Sequence, residues 1–216
     1  MEKEPEHIIS TLYDKVYSTG TQVFGLGKPE EIVMAAARLL PPHGKVIELG
    51  AGQGRNSLAL AEQGFQVLAL DISPIGVEFM TQTAEKKSLN YFEAKIADVR
   101  DNIKGQYDLV VSTLMLHHLS IDEAYKVFRT ISELTNDLGL NAITVFTSEG
   151  DFAKKSKNMG YFYPTSSELH QIYSEWEILD YEEVRNEARA INSDGTRTFN
   201  TKANILARKP KSLLVS

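Results

Sequence analysis

The stretch Val46–Asn56, which reads VIELGAGQGRN, joins a short apolar strand directly to a helix. Its three glycines, Gly50, Gly52 and Gly54, let the backbone turn sharply and keep side chains out of the space beside the loop. A loop that binds a dinucleotide pyrophosphate reads G-x-G-x-x-G, whereas this chain has Arg55 where the third glycine would stand. The stretch therefore predicts a ligand-binding loop that departs from the dinucleotide pattern.

Outward from this loop, short apolar strands alternate with amphipathic helices. Such alternation predicts an α/β fold, in which a parallel sheet is covered by helices on both faces. The predicted strands are Lys45–Leu49, Gln66–Asp71, Tyr91–Ala97, Tyr107–Ser112 and Leu140–Thr147. The predicted helices are Arg55–Gln63, Pro74–Lys87 and Asp122–Leu134.

The rhythm changes on either side of this core. After it, the pattern predicts a loop at Ser148–Pro164, a short helix at Ser167–Tyr173, and strands at Trp176–Val184 and Lys202–Ala207. The turn residues Ser193-Asp194-Gly195 between those two strands predict an antiparallel hairpin. Before the core, two helices at about His7–Tyr17 and Pro29–Leu40 are expected to wrap on the sheet edge.

Composition excludes several classes of function. The formal net charge is −6 and the basic residues are scattered, which argues against a nucleic-acid substrate. The chain has no cysteine, which excludes disulfides, cysteine zinc sites, iron–sulfur clusters and a thiolate nucleophile. Residues 1–18 are polar and no apolar run approaches 18 residues, so we expect a cytoplasmic protein without signal peptide or membrane span.

Three acidic residues at predicted strand ends suit a cationic ligand that lacks phosphate. Glu48 precedes Gly50 by two residues, where a carboxylate would repel a pyrophosphate and attract an ammonium group; a tight turn with Glu48 in solvent is the alternative. Asp71 ends the second strand, where it can accept both hydroxyls of a ribose, although NAD-binding folds place an aspartate similarly. Asp98 can accept from an adenine amino group or cap a turn. S-adenosylmethionine carries an ammonium group, a ribose and an adenine and has no phosphate, so it suits all three carboxylates.

The order E-x-G-x-G-x-G, strand-Asp, Ala97-Asp98-Val99 and YDLVVS at 107–112 resembles class I S-adenosylmethionine-dependent methyltransferases over about residues 45–147. The resemblance implies a Rossmann-like sheet of seven strands, one of them antiparallel, with the cofactor across the carboxyl ends of the first strands. Pattern and resemblance together assign cofactor binding to Glu48, Gly50, Ala51, Gly52, Gly54, Arg55, Asn56, Asp71, Ile72, Asp98, Val99, Ser112 and Thr113.

Within that superfamily the chain is similar to the tellurite-resistance (TehB-like) methyltransferase family. The similarity rests on GRNSL at 54–58, QYDLVVST at 106–113, GYFY at 160–163 and DGTR at 194–197. It implies methyl transfer to a small molecule, including a metalloid oxyanion such as tellurite, held by Arg197 and Arg189. The family's His-Arg pair is replaced here by Arg189-Ala190, so one cation expected at an oxyanion is missing.

The acceptor is expected above the ends of the fourth and fifth strands, with walls from Ser112–Leu119 and Thr147–Pro164. Methyl transfer from a sulfonium requires alignment in a dry pocket, and a base only where the nucleophile carries a proton. His117 is the candidate base, with His118 beside it; solvated loop histidines are the alternative.

Aromatic and basic residues complete the expected acceptor side. One of Tyr161, Phe162 and Tyr163 is expected in the pocket wall and the other two in the core. Lid residues are expected in the N-terminal segment, and hairpin arginines are expected to fold over the pocket or to lie on the surface. These are Tyr13, Tyr17 and Phe24 for the lid, and Arg185, Arg189 and Arg197 for the hairpin.

Residues 1–216 are predicted to form one domain: a helical cap at 1–44, a cofactor-binding core at 45–147, and acceptor-side loop and strands at 148–216. Ser112-Thr-Leu-Met115 stands where enzymes that methylate exocyclic amines carry N-P-P-Y, which also argues against DNA. Two alternatives stay open, a non-enzymatic cofactor-binding regulatory module and an NAD-dependent oxidoreductase. The sequence leaves the oligomeric state open, with a homodimer among the options.

Overall fold

The computed structural model describes residues 5–18, 27–156, 159–191 and 195–212. The strands in these residues are β1 (Lys45–Leu49), β2 (Gln66–Asp71), β3 (Phe92–Ile96), β4 (Tyr107–Thr113), β5 (Thr135–Phe146), β6 (Glu177–Ile191) and β7 (Arg197–Arg208). The helices are α1 (Pro5–Tyr17), α2 (Glu31–Ala37), α3 (Arg55–Glu62), α4 (Pro74–Lys86), α5 (Ile121–Leu134), α6 (Asp151–Lys155) and α7 (Ser166–Ile172).

Within the described residues, the seven strands form one sheet in the order β3-β2-β1-β4-β5-β7-β6. β7 is antiparallel to both of its neighbours, whereas β1 to β5 pair in parallel. The predicted mixed sheet with one antiparallel strand and a C-terminal hairpin is therefore confirmed. The chain order reverses between β1 and β4, and open α/β sheets bind ligands at the carboxyl ends of strands beside such a reversal.

Both faces of the sheet are covered by helices. Consecutive strand residues point to opposite faces, so apolar neighbours along a strand pack against different helices. Val46 packs in a cluster with α2 and α3, while its neighbour Ile47 packs in a cluster with α5. The helical residues expected to point inward are buried, among them Leu60 of α3 and Ile131 of α5. This two-sided core holds the carboxyl ends of β1, β2 and β4 in a fixed arrangement.

The two N-terminal helices do not wrap on the sheet edge, so that prediction is wrong. The buried residues Ile32, Val33 and Ala36 of α2 pack on the face of the sheet in the same cluster as Val46. α1 contacts α4 and lies across the glycine loop, where Tyr17 approaches Gly52. The apolar side of α2 packs beside α3 on the same face of the sheet and buries the strand residues there.

Three boundaries differ from the sequence prediction. β5 begins at Thr135, but its regular pairing with β4 starts only at Leu140, after a register shift. The predicted loop at 148–164 contains α6, whose first residues are held by distant partners: Asp151 accepts from the Phe199 N–H. β6 and β7 extend through the polar stretch that the alternation pattern left unassigned, because each pairs with the other.

Candidate active site

A cavity of about 360 Å³ opens at the carboxyl ends of β1, β2 and β4. This lies within the range of roughly 300–1,000 Å³ that small-molecule sites occupy. Its walls come from the glycine loop, the ends of β2, β4 and β5, and the helix α1. The lining residues are Tyr13, Tyr17, Gly50, Ala51, Gly52, Gln53, Arg55, Asp71, Ile72, Ala97, Asp98, Val99, Arg100, Thr113, Leu114, Met115, His117, His118, Leu119, Phe146 and Phe152.

The glycine loop forms part of the cavity floor and has little room for side chains. Gly52 has a φ of 60°, in the left-handed region that favours glycine, and a Cβ there would lie 2.8 Å from the Tyr17 hydroxyl oxygen. A Cβ at Gly50 would lie 2.4 Å from Met115 Cγ. A side chain at either position would collide with Tyr17 or Met115, so the loop requires glycine at both.

Asp71 lies at the end of β2 and lines the cavity. Its carboxylate accepts hydrogen bonds from the Gly52 N–H at 2.6 Å and the Ser73 N–H at 2.9 Å. Burial raises the pKa of Asp71, while these N–H groups act in the opposite direction. A carboxylate has about four acceptor positions, so two backbone donors leave capacity for ligand hydroxyls.

Glu48 does not line the cavity, which corrects the expectation that it faces a cofactor ammonium group. Its carboxylate is 1% exposed and accepts from Asn56 Nδ2 at 2.7 Å and from the Ser57 N–H at 3.0 Å. The side chain points from β1 towards the first turn of α3, where backbone N–H groups have no helical partner. Glu48 thus fixes the strand, loop and helix relative to one another.

Three other predicted cofactor residues also lie outside the cavity lining, namely Gly54, Asn56 and Ser112. Gly54 turns the chain into α3 and packs against Met80. Asn56 Nδ2 donates to Glu48 and to Thr113 Oγ1, so its side-chain N–H groups are engaged within the protein. Ser112 is fully buried, and because side chains alternate along β4 it is Thr113 that reaches the cavity.

Arg55 lines the cavity and belongs to a triad of charged side chains. Glu30 accepts from Arg55 at 2.7 Å and from Lys202 Nζ at 2.9 Å. Burial acts to raise the pKa of Glu30, but Lys202 and Arg55 together lower it. The triad has two cations and one anion, so it favours a further negative group nearby.

Asp98, predicted to contact adenine, lines the cavity together with Arg100. The Arg100 guanidinium donates to both carboxylate oxygens, at 2.8 Å and 2.5 Å, and also reaches Glu123 at 3.1 Å. Burial acts to raise the pKa of Asp98, yet the bonds from Arg100 lower it overall. Arg100 escaped the sequence prediction because no local pattern marks a cation that serves a carboxylate two residues earlier.

Tyr13 and Tyr17 of α1 cover the cavity, where the expected lid residues should lie. The Tyr13 hydroxyl lies 2.6 Å from His118 Nε2, and Asp14 accepts from the Ser73 hydroxyl. Burial, followed by the charge of Asp71, raises the pKa of Tyr13 to about 12. Phe24, the third expected lid residue, lies outside the described residues.

His117 and His118 follow β4 in a 3₁₀ turn, and their rings lie 4.1 Å apart. His117 is 9% exposed and lines the cavity, and its Nδ1 has no hydrogen-bond partner among the described residues. Burial, with a smaller contribution from His118, lowers the pKa of His117 well below 6.5. Burial also lowers the pKa of His118, to about 4. Both rings are therefore neutral at neutral pH, and neither is a solvated loop histidine.

Arg185 and Arg197 of the hairpin do not line the cavity, which corrects the assignment of Arg197 to the acceptor. The Arg197 side chain is 68% exposed and forms an ion pair with Glu187. The Arg185 guanidinium lies over the Phe199 ring, 4.4 Å from its centre. Both side chains are engaged by residues across the hairpin, because extended strands pair neighbouring side chains. The side chain of Arg189 lies outside the described part of the chain.

The aromatic run at 161–163 contributes to the core more than to the cavity. Phe162 is buried against Phe128, Tyr161 is partly exposed, and the Tyr163 ring lies 6.1 Å from His117 behind the lining. The rings that do line the acceptor side are Phe146 and Phe152, together with Met115. The pattern analysis missed them because apolar residues at strand ends look the same as core residues.

The part of the chain that the structure describes contains neither a candidate metal site nor a candidate membrane-spanning helix. No group of three or more His, Cys, Asp or Glu residues there is arranged to hold a metal ion. No helix in the same residues is long and apolar enough to cross a membrane.

Comparison with known proteins identifies relatives that match most of this chain. The family model described as "Tellurite resistance protein TehB" matches residues 13–206. A relative from Haemophilus influenzae, described as a probable S-adenosyl-L-methionine-dependent methyltransferase TehB, is 33% identical over 177 residues. The match covers 82% of this chain but only 61% of that relative's length.

Solved structures of methyltransferases also resemble this chain. The crystal structure of TehB from Haemophilus influenzae superposes with a TM-score of 0.73 at 30% identity, covering 91% of this chain and 67% of that one. Magnesium protoporphyrin IX methyltransferase from Synechocystis, solved with bound SAH, superposes with a TM-score of 0.70 at 16% identity, covering 95% of this chain and 100% of that one. The latter likeness concerns the fold alone. The chain therefore belongs to the TehB family and has the class I methyltransferase fold.

Proposed function

We propose that this chain transfers the methyl group of S-adenosylmethionine to a small-molecule acceptor. The observation that carries the proposal is one cavity with two unlike sides. Asp71 and the glycine loop lie on one side, and neutral rings around His117 lie on the other. The name of the Haemophilus influenzae relative supports the donor assignment.

The residues on the first side fit S-adenosylmethionine. Asp71 has acceptor capacity for the two ribose hydroxyls, and the close approach of the loop at Gly52 allows contact with the sugar. The Arg55–Glu30–Lys202 triad has a surplus positive charge that suits the methionine carboxylate. Asp98 is the candidate partner of the adenine amino group. When bound, the cofactor supplies an activated methyl group.

The protein's contribution to such a reaction is alignment and exclusion of water. Tyr13 and Tyr17 cover the cavity from α1, and Met115, Leu119 and Phe146 give it apolar walls. A nucleophile held in line with an activated methyl group in such an enclosure reacts faster, because the entropy of orienting the two groups has already been lost on binding. The net charge of −6 further favours a small molecule over nucleic acid as the acceptor.

A metalloid oxyanion such as tellurite is the second candidate acceptor, and the name of the family is the observation that favours it. An oxyanion site normally presents two or three cations. Of the described cations, Arg55 and Arg100 line the cavity, and each is engaged by carboxylates. The oxyanion therefore has weaker structural support than a neutral acceptor.

The donor assignment is tested by calorimetric titration of the purified chain with S-adenosylhomocysteine, with NADH as the comparison ligand. We expect one site for S-adenosylhomocysteine and no heat from NADH. Binding of NADH alone would contradict the proposal and favour an oxidoreductase.

Turnover is tested separately with methyl-labelled S-adenosylmethionine and a panel of phenols, thiols, tellurite and selenite. Label transfer to any acceptor supports an enzyme. Cofactor binding without transfer across the whole panel would favour a regulatory module that only binds the cofactor.

A further inference from the structure

We propose that Glu30 and Lys202, which do not themselves line the cavity, fix the position and the net charge around Arg55, and so make the site selective for a cofactor with an intact methionine carboxylate. This inference rests on the proposed function and adds two positioning residues to it. It is carried by an unusual residue before α2, an unusual residue at the start of α3, and the bonds that join both to β7.

Glu30 is the first unusual residue. It occupies the N-cap position of α2, but its side chain makes no capping bond. N-cap positions favour Asn, Asp, Ser and Thr, whose short side chains accept from the free N–H groups of the first turn. The Glu30 carboxylate bonds outside its own helix instead: Oε1 accepts from Arg55 Nη2 at 2.7 Å, and Oε2 accepts from Lys202 Nζ at 2.9 Å. Departures from local preference of this kind concentrate at functional sites.

Arg55 is the second unusual residue. It is the first residue of α3, a helix without an acidic residue in its first turn. The amino end of a helix carries a partial positive charge, so a cation there is unfavourable unless anions compensate it. Glu48 bonds the same turn at the Ser57 N–H, but it is buried and does not line the cavity. Glu30 and Lys202 add one charge of each sign, so the triad with Arg55 keeps one positive charge in excess.

The Arg55 guanidinium keeps hydrogen-bond donors for a ligand. A guanidinium has five N–H groups, and among the described residues Glu30 is the one partner that Arg55 has. Arg55 lines the cavity, and its side chain is 15% exposed. Those of Glu30 and Lys202 are similarly buried, at 14% and 18%. Because partly buried charges are only weakly screened, removing one member of the triad changes the electrostatic potential at Arg55.

Glu30 is also held through its backbone. Its N–H donates to Asn56 Oδ1 at 2.9 Å, and Asn56 Nδ2 donates to Thr113 Oγ1 at 3.0 Å. Thr113 lines the cavity at the end of β4. These bonds join the start of α2 to the start of α3 and to the sheet, so the bridge from Lys202 to Arg55 has a fixed geometry.

The two positioning residues have separate roles. Glu30 supplies the bond that fixes the Arg55 side chain, but alone it would also cancel the charge of Arg55. Lys202 restores that charge, so the guanidinium is both fixed and positively charged overall. A carboxylate gains most from such a group, because charge-assisted bonds from a guanidinium are short and strong.

The first test is Lys202→Met, which nearly keeps the length of the side chain and removes its charge. The purified chain is titrated calorimetrically with S-adenosylhomocysteine and with its decarboxylated analogue, which has the ammonium group but no carboxylate. We expect affinity for S-adenosylhomocysteine to fall about tenfold, the effect of one charge at a partly buried site. Affinity for the analogue should not fall, because its only charged group is positive and the variant removes a cation.

Glu30→Asp tests position at constant charge. The shorter side chain keeps its negative charge but no longer reaches both Arg55 and Lys202. Asp is a preferred N-cap residue, so we expect the melting temperature to stay the same or rise. Affinity for S-adenosylhomocysteine should nevertheless fall roughly 3- to 10-fold, with affinity for the analogue unchanged. A merely structural role of Glu30 would change affinity for both ligands alike.

Lys209→Met is the matched control, because Lys209 also has its ammonium group engaged within the protein. It follows β7, and its Nζ donates to the carbonyl oxygens of Ser132 and Thr135 near the end of α5. We expect a lower melting temperature and unchanged affinity for both ligands.

Equal losses for the two ligands in Lys202→Met, or no loss for either, would overturn the role of Lys202. Unchanged affinity for S-adenosylhomocysteine in Glu30→Asp would overturn the role of Glu30. Equal affinity of wild type for the two ligands would overturn the carboxylate selectivity while leaving the proposed function intact. Failure of wild type to bind S-adenosylhomocysteine would instead overturn the proposed function itself.

Discussion

The two sides of the cavity are built in different ways. The centre of the donor side comes from two short stretches, the loop at 50–55 and the end of β2 at Asp71, where the Asp71 carboxylate accepts from backbone N–H groups. The acceptor side is assembled from Tyr13, His117 and Phe146, which are far apart in the chain. A contiguous motif constrains the backbone locally, whereas an assembled wall depends on how distant elements pack.

The two sides also differ in charge. Aspartates and arginines on the donor side are paired or bonded to backbone, as in the Glu30–Arg55 ion pair. The acceptor side presents rings whose titratable members, His117 and His118, have lowered pKa values because they are buried. A charged donor beside a neutral acceptor is the arrangement that we propose for this cavity, and each variant below tests one side against the other.

Gly52→Val should have the largest effect, and it acts on the donor side. The substitution places a β-branched residue at a φ of 60° and a Cβ 2.8 Å from the Tyr17 hydroxyl. Left-handed strain alone costs about 1–2 kcal/mol, and the clash adds to it. We expect affinity for S-adenosylhomocysteine to fall at least about hundredfold by calorimetry.

Gly160→Val is the control for that strain. Gly160 has a φ of 70°, but no atom of the described residues lies within 4 Å of an added Cβ. We expect a lower melting temperature and unchanged affinity for S-adenosylhomocysteine. If both variants lost affinity equally, close approach at Gly52 would not be the reason.

Asp71→Asn should have the next largest effect on the donor side. The amide keeps the shape but loses one acceptor oxygen and the charge that favours the Gly52 and Ser73 N–H donors. Hydrogen bonds to charged groups contribute about 1.5–3 kcal/mol, so affinity for S-adenosylhomocysteine should fall roughly 10- to 100-fold.

Asp108→Asn is the matched control at the opposite end of the sheet. Asp108 also accepts from a backbone donor, the Lys45 N–H at 2.8 Å. That variant should lose stability without losing affinity. Unchanged affinity in Asp71→Asn would show that Asp71 does not hold the ribose.

Tyr13→Phe tests the bond that ties α1 to the acceptor side. Removing the hydroxyl breaks its 2.6 Å contact with His118, which contributes about 1 kcal/mol. We expect an approximately fivefold loss of affinity for S-adenosylhomocysteine, since α1 covers the cavity. Tyr181→Phe, which loses hydroxyl contacts with Ser166 and Glu183 outside the cavity, should leave affinity unchanged. Equal affinities in the two variants would argue against a covering role for α1.

The pH dependence of phenol methylation tests the acceptor side with a smaller effect. Because the pKa of His117 lies well below 6.5, its basic form persists as the pH falls through that value. The groups that face it, His118 and Tyr163, are themselves neutral in this range because burial lowers the pKa of His118 and raises that of Tyr163. We expect kcat to fall less than about twofold between roughly pH 7.5 and pH 6, where an unperturbed histidine base would lose about fourfold. A fourfold loss would mean that the activity depends on a base with an ordinary histidine pKa, in contradiction to the lowered pKa of His117.

Arg197→Ala should have the smallest effect. The exposed Arg197–Glu187 pair contributes about 0–1 kcal/mol to stability and does not reach the cavity. We expect kcat with phenol or tellurite to stay within about twofold of wild type. A large, selective loss with tellurite would restore Arg197 to the acceptor site.

The same contrast explains what the sequence could predict. Gly52 and Asp71 were recognisable because a strand, a glycine turn and a strand-end carboxylate occur in a fixed local order. The parallel strands and the helices on both faces of the sheet followed from the alternation of short apolar strands with amphipathic helices. Glu48 was misplaced because the sequence cannot say which way a strand-end carboxylate points, and here the first turn of α3 supplies its partners.

The acceptor side was harder to predict for physical reasons. Phe146 and Phe152 look like core residues until the ends of β5 and α6 are placed beside His117. Arg197 was assigned by family resemblance, but the pairing of β6 with β7 directs it to Glu187. Contacts between neighbouring elements decide both positions, and no local pattern of residues records them.

The most direct test of the two-sided cavity is a crystal structure of the chain with S-adenosylhomocysteine. We expect the ribose hydroxyls to lie within hydrogen-bond distance of Asp71 and the sulfur to face the rings of His117 and Phe146. An adenine ring stacked on those rings, with the sulfur turned towards the Asp71 side, would contradict it.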